Sequence, residues 1–366
     1  MKIGIMSMQR VANYGSFLQA FGLKTLLEKK GHEVCFIDYH AGKPVVSYKK
    51  MDKVIYNLKK NPYIWKLYYD TKEKYKNSFY YLYTKEYLKL LGVSLKYQYD
   101  VEVDLLIIGS DEVFNCIQKG VNVGFSKELL GEYKYAKKIV SYAASCGYTT
   151  LEKVEQLGID DSIKKYMNNF SEISVRDANT EKFVMELTGK KVYKNVDPVL
   201  VSDYDRYIVE KKDIKNYIIL YSYESRNYTP EEQEIIKKFA DKNHKLLVTI
   251  GKRQKWIPTH INANPFEFLG YIKNADFILT DTFHGTVFSI KYNINFATII
   301  RESNKQKLTD LLERFELQER SLKDLREINN YYLKVTDFQK ANQIIREEKE
   351  KTNAYLERVT RNGTTE

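Results

Sequence analysis

The chain has 366 residues, 43% of them hydrophobic and 29% charged, which fits a globular protein of roughly two domains with a core large enough to need no cross-links. Its three cysteines, Cys35, Cys116 and Cys146, are widely spaced, which excludes a disulfide framework and a CxxC metal knuckle and implies a reduced compartment. The net charge of +11 invites an anionic partner, but no nucleic-acid-binding pattern accompanies it, and 31 tyrosines beside 6 prolines make codon bias the simpler source.

Residues 2–7 read as a buried strand, followed by a polar loop, Gln9 to Ser16. The apolar spacing from Phe17 to Lys30 predicts a helix, with Gly31 placed to end it and Val34 to Tyr39 as the next strand. This is the opening of a doubly wound sheet. The opening apolar run is too short for a signal peptide, and no stretch approaches the length of a membrane helix. Residues 48–99, rich in Tyr and Lys, break the rhythm and predict a helical insert of about two amphipathic helices.

The alternation resumes with an apolar strand, Asp104 to Gly109, of the kind buried on both faces in a parallel sheet. Strands at Lys138–Tyr142 and Glu172–Val175 follow, with helices over about 151–169 and 178–188. A polar stretch, Ser202 to Asn216, reads as a linker. Beyond it come strand 217–222, helix 230–242, strand 245–250, a short helix near 265–272, strand 276–280, helix 284–291 and strand 294–300, then helices near 304–316 and 337–359. The expected organisation is an α/β domain over 1–200 carrying the insert, a second α/β domain over 201–336, and a C-terminal helix over 337–366 that packs back on the first domain.

Ligands of parallel α/β sheets bind beyond the carboxyl ends of strands. Those positions hold Asn13, Tyr14, Gly15, Ser16, Ser110, Asp111, Arg176, Asp177, Asp197, Ser222, Thr282, His284, Gly285 and Arg301. Several of the aspartates are equally good helix caps. His284 stands at a strand-to-helix junction, where free N–H groups favour an anion and an imidazole can move a proton. Two arginines at strand ends suit a small, multiply charged anion. The sequence holds no dinucleotide fingerprint, P-loop, GxSxG elbow or metal-ligand spacing.

Five segments together resemble the polysaccharide pyruvyl transferases: Asn13-Tyr14-Gly15-Ser16-Phe17-Leu18-Gln19, Gly109-Ser110-Asp111, Val175-Arg176-Asp177, Asp197-Pro198-Val199, and Asp281-Thr282-Phe283-His284-Gly285. The resemblance runs over about residues 3–300. Phe114 stands where the family pattern often has Trp. The resemblance implies two Rossmann-like domains facing a cleft, as in GT-B glycosyltransferases. It implies transfer of pyruvate from phosphoenolpyruvate onto sugar hydroxyls as a ketal, in exopolysaccharide or cell-surface polysaccharide synthesis. It implies a donor held by Arg176 and His284, which match motif residues, with Arg301 as a looser match; Ser222, Thr282 and Gly285 are expected beside them on the donor side. The catalytic residues expected are His284, Arg176 and Asp111, with Asp111 or Asp177 orienting the acceptor or acting as base, or serving only as a helix cap. Asn13, Tyr14, Gly15, Ser16, Gln19, Ser110 and Asp111 would line the acceptor side from the first domain. The partners expected are phosphoenolpyruvate and a sugar acceptor, carried on a lipid, a nucleotide or a polymer. No metal, cofactor or nucleic acid is expected. The location expected is cytoplasmic, with the inner membrane face as the place to meet a lipid-linked acceptor. A nucleotide-sugar glycosyltransferase of the same shape, or a non-catalytic carbohydrate-binding protein, are the competing expectations.

Overall fold

The computed structural model describes residues 1–46, 79–118 and 123–361. The chain divides into two units. Unit 1 takes the described residues of Met1–Ala12, Gln19–Pro198 and Lys351–Glu366; unit 2 takes Asn13–Leu18 and Val199–Glu350. Most of the expected helical insert lies outside the described residues. Its end is helical in short pieces, Phe79–Leu82, Tyr83–Tyr87 and Leu88–Leu90.

In unit 1, strand β1 (Lys2–Met6) leads into helix α1 (Tyr14–Glu28), then β2 (Glu33–Phe36), β3 (Val103–Ile108) and β4 (Ala136–Ser141). These strands form a parallel sheet in the order β2-β1-β3-β4. The apolar runs of β1 and β3 are buried on both faces, as a parallel sheet covered by helices requires. The region expected as one helix over 151–169 is two, α2 (Leu151–Gln156) and α3 (Asp160–Met167), broken at Gly158. Strand β5 (Ile173–Val175), α4 (Ala178–Thr188) and β6 (Val192–Lys194) complete the alternation, β5 and β6 pairing in parallel. Single bridges, Val140 to Glu172 and Ala144 to Val175, set β5 beside β4. Met6, Leu106, Ile108, Phe114, Phe170 and Phe183 belong to the core.

In unit 2, β7 (Tyr217–Tyr221), α5 (Pro230–Lys242), β8 (Leu246–Ile250), β9 (Thr259–Ile261), α6 (Pro265–Lys273), β10 (Phe277–Thr280), α7 (Phe283–Tyr292), β11 (Phe296–Ile299), α8 (Lys305–Arg314) and β12 (Ser321–Leu322) follow in chain order, a helix separating successive strands except β8 and β9. All six strands are parallel, in the order β12-β11-β10-β7-β8-β9. Counting from β7, this is the 3-2-1-4-5-6 order of a Rossmann-like sheet. The core gathers Ile218, Leu220, Phe239, Phe277, Leu279 and Ile299. The stretch read as a linker contains a turn of helix, Asp205–Tyr207, and belongs to unit 2. The last long helix, α9 (Gln339–Thr360), is continuous, with its residues from Lys351 on in unit 1.

Candidate functional site

The strand order of unit 2 reverses between β7 and β10, and crevices open at such switch points beyond the strand ends. Ser222 follows β7 directly, Asp281 and Thr282 follow β10, and Arg301 follows β11. Helix α7 starts there. Thr282 is its N-cap: its hydroxyl accepts from the Gly285 N–H at 2.9 Å and lies 3.0 Å from the Thr280 hydroxyl. A Cβ on Gly285 would overlap the Thr280 hydroxyl, so this first turn closes only with glycine.

His284, in that turn, is buried beside Phe283 and Phe288. Its ring lies so close to Gly15 that a Cβ there would fall on Cγ and Nδ1. Asn13, Tyr14, Gly15 and Ser16, expected on the first domain, therefore group with unit 2. The physical reason is Tyr14, which stacks on Phe268 at 4.0 Å and donates to the Ala263 carbonyl at 2.7 Å. Asn13 and Ser16 are engaged with each other: the Asn13 Oδ1 accepts from the Ser16 N–H at 2.7 Å, and its Nδ2 donates to the Ser16 hydroxyl at 2.9 Å. This is the capping geometry that lets α1 begin at Tyr14, ahead of its apolar periodicity.

Asp281 has a fully buried carboxylate, with Oδ2 at 2.5 Å from Arg226 Nε and 3.9 Å from Arg301 Nε. Burial pushes this carboxyl above its ordinary range, against the opposing pull of Arg226, the Ser222 hydroxyl and Arg301. Arg301 also donates to Glu232 at 2.9 Å and lies over the Tyr228 ring. Glu232 is fixed in turn by the capping box of α5, accepting from the Thr229 N–H at 2.8 Å. Asn304 ties the two loops together, donating to the Asp281 carbonyl at 2.8 Å and accepting from the Arg301 N–H at 2.7 Å. Arg226 and Tyr228 escape the sequence reading because they lie beyond Ser222 in an irregular stretch. The strand-end rule extended by a few residues would have reached them.

In unit 1 the strand order reverses between β1 and β3. Ser110 and Gln19 belong to a buried polar network there: the Gln19 amide donates to the Ser7 hydroxyl at 2.9 Å and accepts from the Ser110 N–H at 3.2 Å. Asp111 follows with a φ of 79°, its carboxylate accepting from the Glu112 N–H at 2.9 Å. Arg176, at the end of β5, donates to Asp197 at 2.9 Å with both side chains buried. Burial works against its charge, but Asp197, Asp111, Asp177 and Glu112 outweigh it and push the guanidinium above its ordinary value. Asp177 caps α4, accepting from the Thr180 N–H at 2.9 Å while the Ser145 hydroxyl donates at 2.6 Å. Unit 2 thus assembles Ser222, Thr282, His284, Gly285 and Arg301 with Asn13 to Ser16; unit 1 carries Gln19, Ser110, Asp111 and Arg176. Among the described residues no group of His, Cys, Asp and Glu is arranged to hold a metal ion, and no helix is long and apolar enough to cross a membrane.

Two parallel α/β units, with a histidine at a helix start and polar groups at both switch points, define a Rossmann-like two-unit protein. The sequence profile of the polysaccharide pyruvyl transferases matches residues 13–304, and the chain belongs to that family of transferases. No curated protein matches the chain. Among solved structures, it is similar to the glycotransferase of kitacinnamycin at 10% identity over 98% of each chain, TM-score 0.47. It is similar to the O-GlcNAc transferase of Thermobaculum terrenum at 12% identity over 98% of this chain and 66% of that one, TM-score 0.47. It is similar as well to the spinosyn rhamnosyltransferase SpnG at 9% identity over 98% of this chain and 99% of that one, TM-score 0.47.

Proposed function

We propose that the protein moves the enolpyruvyl group of phosphoenolpyruvate onto two hydroxyls of a sugar as a ketal, during synthesis of a cell-surface or exported polysaccharide. Membership of the family supports the reading. The observation that carries it is His284, held by Gly15 and the Thr282 cap in the first turn of α7 at the switch point of unit 2. A helix start favours a phosphate, and a positioned imidazole can deliver a proton.

The chemistry assigns the roles. Phosphoenolpyruvate carries a carboxylate and a phosphate, which call for fixed cations and N–H donors. A proton added to C3 makes C2 electrophilic. A sugar hydroxyl adds at C2 and loses its proton, inorganic phosphate leaves, and a second hydroxyl closes the ketal, losing its proton in turn. His284 is assigned to the phosphate or to protonation of C3. Ser222, Thr282, Gly285 and Arg301 are assigned to the donor, with Arg176 as a further cation. Asp111 is assigned to the acceptor hydroxyl, with Gln19 and Ser110 beneath it. The scheme calls for no cofactor beyond the donor itself.

The test is calorimetric titration of phosphoenolpyruvate and of UDP into the wild type and His284→Ala. Binding of phosphoenolpyruvate, weakened at least about tenfold in the variant, is expected, one charge-assisted hydrogen bond being worth about that much. Binding of UDP with no response to phosphoenolpyruvate would replace this reading with a nucleotide-sugar glycosyltransferase.

A further inference from the structure

We propose that Asp281 is a positioning residue that holds the guanidiniums of Arg226 and Arg301 as a single anion seat, and that Arg226 thereby binds the phosphate or carboxylate of the donor. The proposal rests on the donor reading above and adds to it Arg226, which lies outside the five motif segments, and a positioning role for Asp281. The carboxylate of Asp281 is fully buried, whereas the side chains of Arg226 and Arg301 are 21% and 25% exposed. The charge of Asp281 is therefore turned inward, while both guanidiniums face outward together with the Glu232 carboxylate, 22% exposed, that pairs with Arg301.

Each guanidinium is anchored along part of its rim. Arg226 sets Nε in an ion pair with Asp281 and donates Nη1 to the Ser303 hydroxyl at 3.1 Å; Arg301 donates Nη2 to Glu232 and holds Nε in a long ion pair with Asp281 at 3.9 Å. Among the described residues, Arg226 Nη2 and Arg301 Nη1 are left with no side-chain or backbone acceptor. Two planar forks fixed from behind, with N–H groups remaining in front, are preorganised for an oxyanion. Burying a carboxylate is costly, and a pair spent only on stability could be replaced by apolar packing. Its position at the switch point, next to the loop that carries His284, gives the cost a use.

The test is a double-mutant cycle of Arg226→Gln and Asp281→Asn, read by calorimetry with phosphoenolpyruvate and with inorganic phosphate, alongside thermal unfolding of each variant. Arg226→Gln is expected to weaken phosphoenolpyruvate at least about tenfold, the worth of a hydrogen bond to a charged group. Arg226→Lys is expected to rescue little, because the ammonium lacks the planar fork. Asp281→Asn is expected to weaken binding about tenfold alone and by clearly less once residue 226 is Gln, because it acts mainly through that arginine at 2.5 Å and only secondarily through Arg301 at 3.9 Å. Equal losses from Asp281→Asn in both backgrounds would make Asp281 merely structural. Wild-type affinity in a folded Arg226→Gln protein would overturn the seat. If the wild type binds inorganic phosphate through Arg226 but not phosphoenolpyruvate, the seat stands and the pyruvyl donor falls; if it binds neither, both fall.

Discussion

The contact between Gly15 and His284 makes a catalytic candidate depend on the absence of one methyl group. Gly15 lies in the first turn of α1, whose backbone cannot yield without losing the Asn13 cap, so an added Cβ must displace the imidazole. Overpacking of this kind costs about 1–3 kcal/mol. Gly15→Ala is expected to lower the unfolding free energy measured by denaturant titration by that amount and to weaken phosphoenolpyruvate binding together with it. A variant that keeps both at wild-type values would show that the ring has room to move. Both motifs were legible in the sequence as separate strand-end loops. Their meeting was not, because it is a long-range fact: Tyr14 reaches the carbonyl of Ala263, 249 positions away. The commitment of Asp177 to capping was equally illegible, since cap and base use the same residue type and only the acceptors around it separate them.

At the scale of elements, helix α7 is fixed at both ends. Thr282 closes its start, and in its last turn Lys291 donates to the carbonyls of Leu200 and Ser202 at 3.0 and 2.7 Å. These carbonyls end the short helix Pro198–Val201, so the ammonium serves as its C-terminal cap. Burial, with a smaller contribution from Lys349 and against Asp205 and Asp203, lowers the Lys291 pKa from 10.5 to about 8. Below pH 8 both folded and unfolded chains hold the proton. Between about 8 and 10.5 only the unfolded chain holds it, so stability attributable to Lys291 rises with pH and is lost again as pH falls through 8. The full span is worth roughly 3 kcal/mol. Denaturant unfolding of the wild type and Lys291→Met from pH 7.5 to 10.5 is expected to show the difference moving in favour of the wild type as pH rises; a constant difference would mean that the lysine titrates normally. The strong strands of both units were readable because parallel strands are continuously apolar. Strands β9 and β12 were not, since Thr259–Ile261 and Ser321–Leu322 are short and lie at the two sheet edges, where one flank needs no apolar partner.

At the scale of the whole molecule, each unit is completed by a segment from a distant part of the chain. Unit 2 takes Asn13–Leu18, and unit 1 takes the end of α9. Within unit 1 that end is bound closely. Tyr355 donates to the Ser141 carbonyl at 2.6 Å, Thr352 lies 3.1 Å from the Tyr142 hydroxyl, and Arg358 pairs with Glu172 at 2.6 Å while stacking on Tyr193. Tyr355, Leu356 and Val359 are buried. Full burial of each such side chain is worth about 1.5–3 kcal/mol, so the three together approach the 5–15 kcal/mol that an ordinary domain has in hand. A chain ending at Glu350 is therefore expected to lose the fold of unit 1. Limited proteolysis should then cut it between residues 80 and 198, while Tyr355→Phe, which gives up one hydrogen bond worth about 1 kcal/mol, stays resistant. If the shortened chain resists protease as the full one does, the sheet of unit 1 stands without its terminal helix. The sequence shows that helix plainly as an amphipathic run. The sheet it completes is decided by buried partners such as Ser141 and Tyr142, which lie more than half the chain away.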